Sequence, residues 1–148
     1  MKIRKGFVSN SSSSSFVCIG DGDKLIDIEN EYLNIINDTI IIKGNFEFGW
    51  EFETFWGFEA KIAFAWMQAK YINDDKQLKM IEEVVKEVTG MNVKMNIGFS
   101  YDDNIDKKYN SYIDHQSVDN HGIFESKETL KNFLFDENSY IEMGNDNV

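Results

Sequence analysis

The chain predicts a single α+β domain, an antiparallel sheet covered by two main helices. Three observations carry this: period-2 alternation at 46–53 and 93–101, helical composition and spacing near 55–72 and 75–89, and a length of 148 residues. Apolar residues make up 42% of the chain and aromatics 14%, which is enough to bury a core. No repeat period and no second domain are visible. The expected division is a basic, serine-rich segment at 1–15 followed by the domain proper at 16–148.

In chain order, five consecutive serines from Ser11 to Ser15 make a polar break. Phe16-Val17-Cys18-Ile19 then reads as a short buried strand, which Gly20-Asp21-Gly22-Asp23 ends. Leu25 to Ile28 is a weaker apolar stretch. Thr39 to Lys43 is a β-branched run, and Gly44-Asn45 is turn chemistry. Beyond that turn Phe46, Phe48, Trp50 and Phe52 alternate with Glu47, Gly49, Glu51 and Glu53, which predicts a hairpin with an aromatic inner face and an acidic outer face.

The stretch 55–72 is almost wholly apolar. At 100° per residue Gly57, Lys61 and Gln68 form one narrow polar stripe, and Glu59 and Lys70 form another roughly opposite. Two apolar flanks remain, so this helix is expected to lie between layers or to offer one flank to a partner chain. Asp74 or Asp75 is the expected N-cap of a second, amphipathic helix through Leu78, Ile81, Val84, Val85 and Val88, with Gly90 ending it. Val93, Met95, Ile97, Phe99 and Tyr101 alternate as the inward face of a strand. Tyr112-Ile113 is a strand fragment, Ser126 caps a short helix with Leu130, Phe133 and Leu134, and Tyr140 to Met143 is a final edge strand.

The chain has 15 basic and 26 acidic side chains, for a net charge of −11. That balance argues against duplex nucleic acid or anionic lipid as a direct partner, because either requires a basic surface. Basic protein surfaces, cations and small molecules remain. No apolar run approaches the ~18 residues of a membrane span. The serine run stands where a signal peptide would need its apolar core, so no secretion signal is expected. Cys18 is alone, which rules out an intramolecular disulfide or a cysteine zinc site and fits a reducing cytoplasm; a buried thiol in an apolar run is the reading it supports.

No motif reaches a catalytic signature, and no cofactor is expected. Gly20-Asp21-Gly22 follows a strand, but Leu25 stands where the third glycine of a dinucleotide fingerprint belongs. Asp102-Asp103-Asn104-Ile105-Asp106 begins like a calcium loop and fails at Lys107 and Ile113, where glycine and glutamate are required. Asp114, His115, Asp119 and His121 could supply ligands for zinc or manganese, and His115 and His121 are the only candidates for catalysis. Their separation matches neither one helix face nor a standard zinc motif, so an ordinary polar loop outweighs a ligand cluster.

Glu47, Glu51 and Glu53 would be spaced along a strand by multiples of about 6.7 Å, a row that could imitate a phosphate backbone. A solvated sheet face outweighs mimicry, because acidic side chains are ordinarily surface residues. Together with Trp56 and Trp66 on the helical flanks, these three glutamates form the candidate protein-binding set.

The segment Gly6-Phe7-Val8-Ser9-Asn10-Ser11-Ser12-Ser13-Ser14-Ser15-Phe16, with Ile3-Arg4-Lys5 before it, resembles the opening shared by a set of small proteins of tailed bacteriophages and prophages. Phe133-Leu134-Phe135, Ser139-Tyr140-Ile141 and Gly144-Asn145-Asp146-Asn147 resemble the ends of some members more weakly. The motif covers about a tenth of the chain and transfers no catalytic residue. The resemblance implies a phage-encoded protein acting in the cytoplasm of an infected bacterium. Ser11, Ser12, Ser13, Ser14 and Ser15 read either as a recognition or processing tag or as an ordered loop whose hydroxyls satisfy backbone groups.

The leading expectation is therefore a non-enzymatic, acidic accessory protein. It binds and inhibits a host or phage protein, in the manner of a counter-defence or anti-CRISPR-type inhibitor, with nucleic-acid mimicry as one means. The second is a metal-dependent hydrolase built on the His115 and His121 region; the third sequesters a nucleotide signal. The two-flanked helix also leaves room for a homodimer.

Overall fold

Two of the three described α-helices start at a side-chain cap, and the first, which begins after Gly57, has none. In the computed structural model, which describes residues 3–6, 14–31, 33–49, 52–100, 110–113 and 117–144, these are α1 (Phe58–Tyr71), α2 (Asp75–Thr89) and α3 (Lys127–Phe135). The Asp74 side chain accepts from the backbone N–H groups of Lys76 and Gln77, and Gly90 ends α2 in the left-handed region at φ +74°. Ser126 caps α3 by accepting from Thr129. Asn73 takes up a left-handed φ of 54° between α1 and α2.

Helix α1 is central, with Phe58, Ile62, Ala63, Phe64, Ala65 and Met67 all buried. Its polar stripe is not at the surface: Lys61 and Gln68, two turns apart, are buried as well. A buried amine or amide costs free energy unless it is hydrogen-bonded, and both side chains meet backbone carbonyls of loops that α1 packs against.

Ten strands are described, in three sheets. The first is antiparallel, with order β1-β2-β10-β6, formed by β1 (Ile3–Gly6), β2 (Ser14–Ile19), β10 (Tyr140–Gly144) and β6 (Glu53–Phe55). The second, order β3-β4-β7, joins the hairpin β3 (Asn34–Ile36) and β4 (Thr39–Lys43) in parallel to β7 (Asn92–Asn96). Its two-residue turn, Asn37-Asp38, has both φ values positive, the twist that a tight hairpin needs and that these two residue types tolerate. The third is parallel, order β5-β9-β8, from β5 (Glu47–Phe48), β9 (Asn110–Ile113) and β8 (Gly98–Ser100).

The α+β class and the two main helices thus stand, but the pairing differs from the sequence expectation. No hairpin joins 39–43 to 46–53, because β3 and β7 already occupy both edges of β4. The alternating stretch 46–53 is not one strand either. Its start, β5, pairs with β9, whereas its end begins β6, which pairs with β10. The 93–101 alternation divides the same way: β7 lies beside β4, the ladder breaks at Ile97, and β8 lies beside β9. Alternation dictates which face a side chain takes, and it is silent on the partner strand.

Tyr140 to Met143 is no edge strand. It is central, with β2 on one side and β6 on the other, and Ile141 and Met143 are buried. At the N-terminus β1 pairs antiparallel with β2, which starts at Ser14, so the sheet extends into the stretch expected as a separate basic segment. One hydrophobic core unites the sheets and helices, running from Val17 and Ile40 through Phe48, Phe64 and Ile81 to Phe133 and Ile141.

Candidate functional site

The four-stranded sheet has one face on the core, while its other face is only partly exposed, with Cys18 buried on it beside Tyr140. Val17, Ile141 and Met143 point inward. By alternation the other face carries Phe16 of β2, Tyr140 and Glu142 of β10, and Thr54 of β6, with Phe52 and Trp56 bracketing β6 in sequence. Phe52 is 65% exposed and Trp56 49%, the largest aromatic exposures among the described residues. The Trp56 ring lies against that of Tyr140 with centroids 4.3 Å apart, and Phe52 lies against Gly144, where an added Cβ would come within 3.2 Å of its ring. Phe52, expected on the inner face with Phe46 and Phe48, is therefore outward: the backbone has left β5 before it, and Phe48 alone of the three is fully buried.

Among the described residues β6 has a strand partner on one side only. Its open edge carries exposed Glu53 and Thr54, while Phe55 turns in toward the rings of the core, 5.0 Å from Phe48. A short, charged strand resists pairing with copies of itself while leaving backbone N–H and C=O groups able to accept a different strand.

Of the expected binding set, Glu53 and Trp56 are both exposed, at the two ends of β6, and the register puts Glu53 on the face of Met143, opposite to that of Phe52 and Trp56. Glu47 is exposed on β5 in another sheet, so no row of glutamates forms on one strand; Glu51 lies outside the described residues. Trp66 is on α1, partly buried, with the Lys70 ammonium 5.7 Å from its ring centroid. Of the serines, Ser11, Ser12 and Ser13 lie outside the described residues, Ser14 begins β2, and Ser15 is buried.

Ser15 is held by His121, its hydroxyl 2.9 Å from Nε2. The Asp119 carboxylate lies 3.6 Å from Nδ1 and accepts from the His121 backbone N–H at 2.8 Å. Burial pushes the imidazole below its ordinary pKa, and Asp119 opposes that shift in part. The order serine, histidine, acid is the one used in nucleophilic catalysis. Here Ser15 is 4% exposed and His121 7%, so the trio ties the N-terminal strand to the 117–123 loop. Asp114 and His115 lie outside the described residues, and among the described residues no three metal-ligating side chains come together.

A second buried polar cluster was hidden in the glycine pair tested above for phosphate. Gly20 and Gly22 do wrap an anion, the chain's own Asp136 carboxylate. The Gly22 N–H donates to it at 2.7 Å, as does that of Asn138, and the Gly20 N–H donates to the Ser139 hydroxyl. A Cβ on Gly20 would stand 2.4 Å from the Asp136 carboxyl carbon. Lys61, with 0% exposure, donates to the carbonyls of Asp136 and Ser139, both at 3.0 Å. Burial lowers its pKa to about 8, against smaller opposing effects of Asp136 and Glu31. Local spacing gives no sign of this cluster, since Asp136 is over a hundred residues from Gly20.

Comparison of the chain with protein-family models, with curated proteins and with solved structures finds no match in any of the three. Among the described residues no helix is long and apolar enough to cross a membrane.

Proposed function

We propose that this is a non-enzymatic binding protein, encoded by a tailed phage or prophage, that docks a basic, extended segment of a host protein on the open edge of β6 and so inhibits that protein in the infected cytoplasm. The observation that carries the reading is the occurrence of exposed aromatic and acidic side chains, Phe52, Glu53 and Trp56, along a strand that is paired on one side only among the described residues. Strand addition supplies backbone hydrogen bonds, and side-chain pockets supply selectivity. Phe52 and Trp56 offer ring faces to a lysine or arginine on one face of the added strand, and Glu53 offers a counter-charge to a basic residue on the other face. A protein that normally holds nucleic acid presents this kind of basic surface, which makes a defence nuclease the expected class of target.

The test compares affinity capture from phage-infected and uninfected lysates using the native chain and the double variant Phe52→Ser, Trp56→Ser. A partner enriched by the native chain and lost with the folded double variant supports the reading. Equal enrichment by both proteins, or no partner above background, contradicts it.

A further inference from the structure

Away from β6, the sheet β3-β4-β7 ends at β3, which has a strand partner on one side only among the described residues. All three of its residues, Asn34, Ile35 and Ile36, are exposed. Six large apolar side chains are exposed among the described residues, and Ile35 at 41% and Ile36 at 58% are the two adjacent in sequence. We propose that β3 pairs antiparallel with β3 of a second copy of this chain, about a two-fold axis at Ile35, so that two three-stranded sheets become one continuous sheet.

The hairpin turn fixes which backbone groups of β3 are free. Asn37 and Asp38 have φ of 51° and 57°, so the turn closes on Ile36 and Thr39 as a hydrogen-bonded pair. Bonded and non-bonded pairs alternate along an antiparallel ladder, so Asn34 bonds to Ile41, and Ile35 does not bond to Ile40. The Ile35 N–H and C=O therefore point away from β4, toward the open edge. Pairing centred on Ile35 uses both groups of both copies, each N–H donating to the other copy's C=O. A two-fold axis makes such a patch complementary to itself.

Side chains and charge favour a copy over a different protein. In this register Ile35 faces Ile35 of the second copy and Asn34 faces Ile36, which makes the two Ile36 side chains diagonal neighbours about 7–8 Å apart. Ile36 shares its sheet face with Thr39 and half-buried Ile41, so the apolar contact continues onto β4. Three other strands at sheet edges carry a charge: Glu47 on β5, Glu53 on β6 and Lys94 on β7. Charged side chains keep an edge from pairing with its own copies, and β3 carries none.

Copies of a chain with net charge −11 repel one another, so they meet best where no carboxylate opposes another. Glu31 and Asp38, the carboxylates nearest to β3 in sequence, are brought opposite neither each other nor their own copies in this register. A basic partner, by contrast, finds no counter-charge on β3. A three-residue strand buries less than the ~800 Å² per partner of a stable interface, so the dimer is weak and depends on concentration. This inference does not rest on the β6 reading, since β3 and β6 belong to different sheets.

Sedimentation equilibrium of the full chain from about 10 μM to about 1 mM tests it. The expected result is a monomer–dimer equilibrium that moves toward dimer as added salt screens the net charge. Ile35→Pro removes the outward N–H without touching a β3–β4 hydrogen bond, and should raise the dimer dissociation constant by about tenfold or more. Ile36→Lys should do the same by setting two ammonium groups side by side. Because that lysine also lowers the net negative charge, its effect reports the edge and not overall repulsion. Phe52→Ser, Trp56→Ser should leave the equilibrium unchanged. If Ile35→Pro does not fold, Ile36→Lys at its exposed position still decides. A monomer at about 1 mM, a dimer indifferent to Ile36→Lys, or a dimer lost in Phe52→Ser, Trp56→Ser each overturns the proposal.

Discussion

Among the described residues His121 and Lys61 are buried basic groups whose protonation the fold opposes, and each makes stability depend on pH. The His121 imidazole is held neutral by burial, below its ordinary pKa of 6.5. As pH falls below that value the unfolded chain takes up a proton that the folded chain resists, so stability drops, by at most about 1.4 kcal/mol per pH unit. The native chain should therefore lose stability between pH 7 and 5 faster than His121→Asn, measured by urea unfolding. Asparagine tolerates the left-handed φ of 53° found there. For Lys61 the folded pKa is about 8 against an ordinary 10.5. Across that window the unfolded chain binds more protons, so stability rises with pH. Relative to Lys61→Met, the native chain is expected to gain as much as ~3 kcal/mol between pH 7 and 10.5 in the same assay. Gly20→Ala should cost ~3 kcal/mol or prevent folding, since its methyl has only the fixed Asp136 carboxylate to displace.

At the scale of elements, the legible parts were those set by near neighbours in sequence. Asp74, Gly90 and Ser126 announce helix ends through contacts two to four residues away, and all three act as expected. Replacing Asp74 by alanine should lower stability by about 1 kcal/mol in thermal unfolding, because two N–H groups of the first turn of α2 lose their acceptor. Strand partners were not legible. Residues 46–53 and 93–101 alternate faultlessly, yet each stretch crosses from one sheet to another, because pairing is decided by β9, β10 and β4, far away in the chain. The buried polar stripe of α1 escaped notice for a related reason. Lys61 and Gln68 look like solvent-facing residues until the loops at 136–139 and 117 bring carbonyls to them. Of the candidate site, Trp56 and Glu53 could be read from the sequence, and Phe52 could not, since its outward turn depends on where β5 ends.

For the whole molecule, the −11 charge gains a location as well as a sign. Part of it is consumed inside: the Asp136 carboxylate is wrapped by backbone N–H groups, and Asp119 faces His121. Glu83 and Glu87 meet Lys127 across the α2–α3 contact. Lys127 is held above its ordinary pKa by both of them, and Glu83 below its own by Lys127, so this tie persists over the whole neutral range and should weaken with added salt. Glu53 has no such partner among the described residues, and it sits beside the most exposed aromatics on an open strand edge. A basic strand added there would extend the four-stranded sheet to five. The measurement that addresses this most directly is backbone hydrogen exchange on the chain with and without its captured partner. Protection confined to Glu53–Phe55 and the flanking Phe52 and Trp56 amides is the expected result; protection elsewhere, on β3 or β7, with β6 unchanged, would contradict the account.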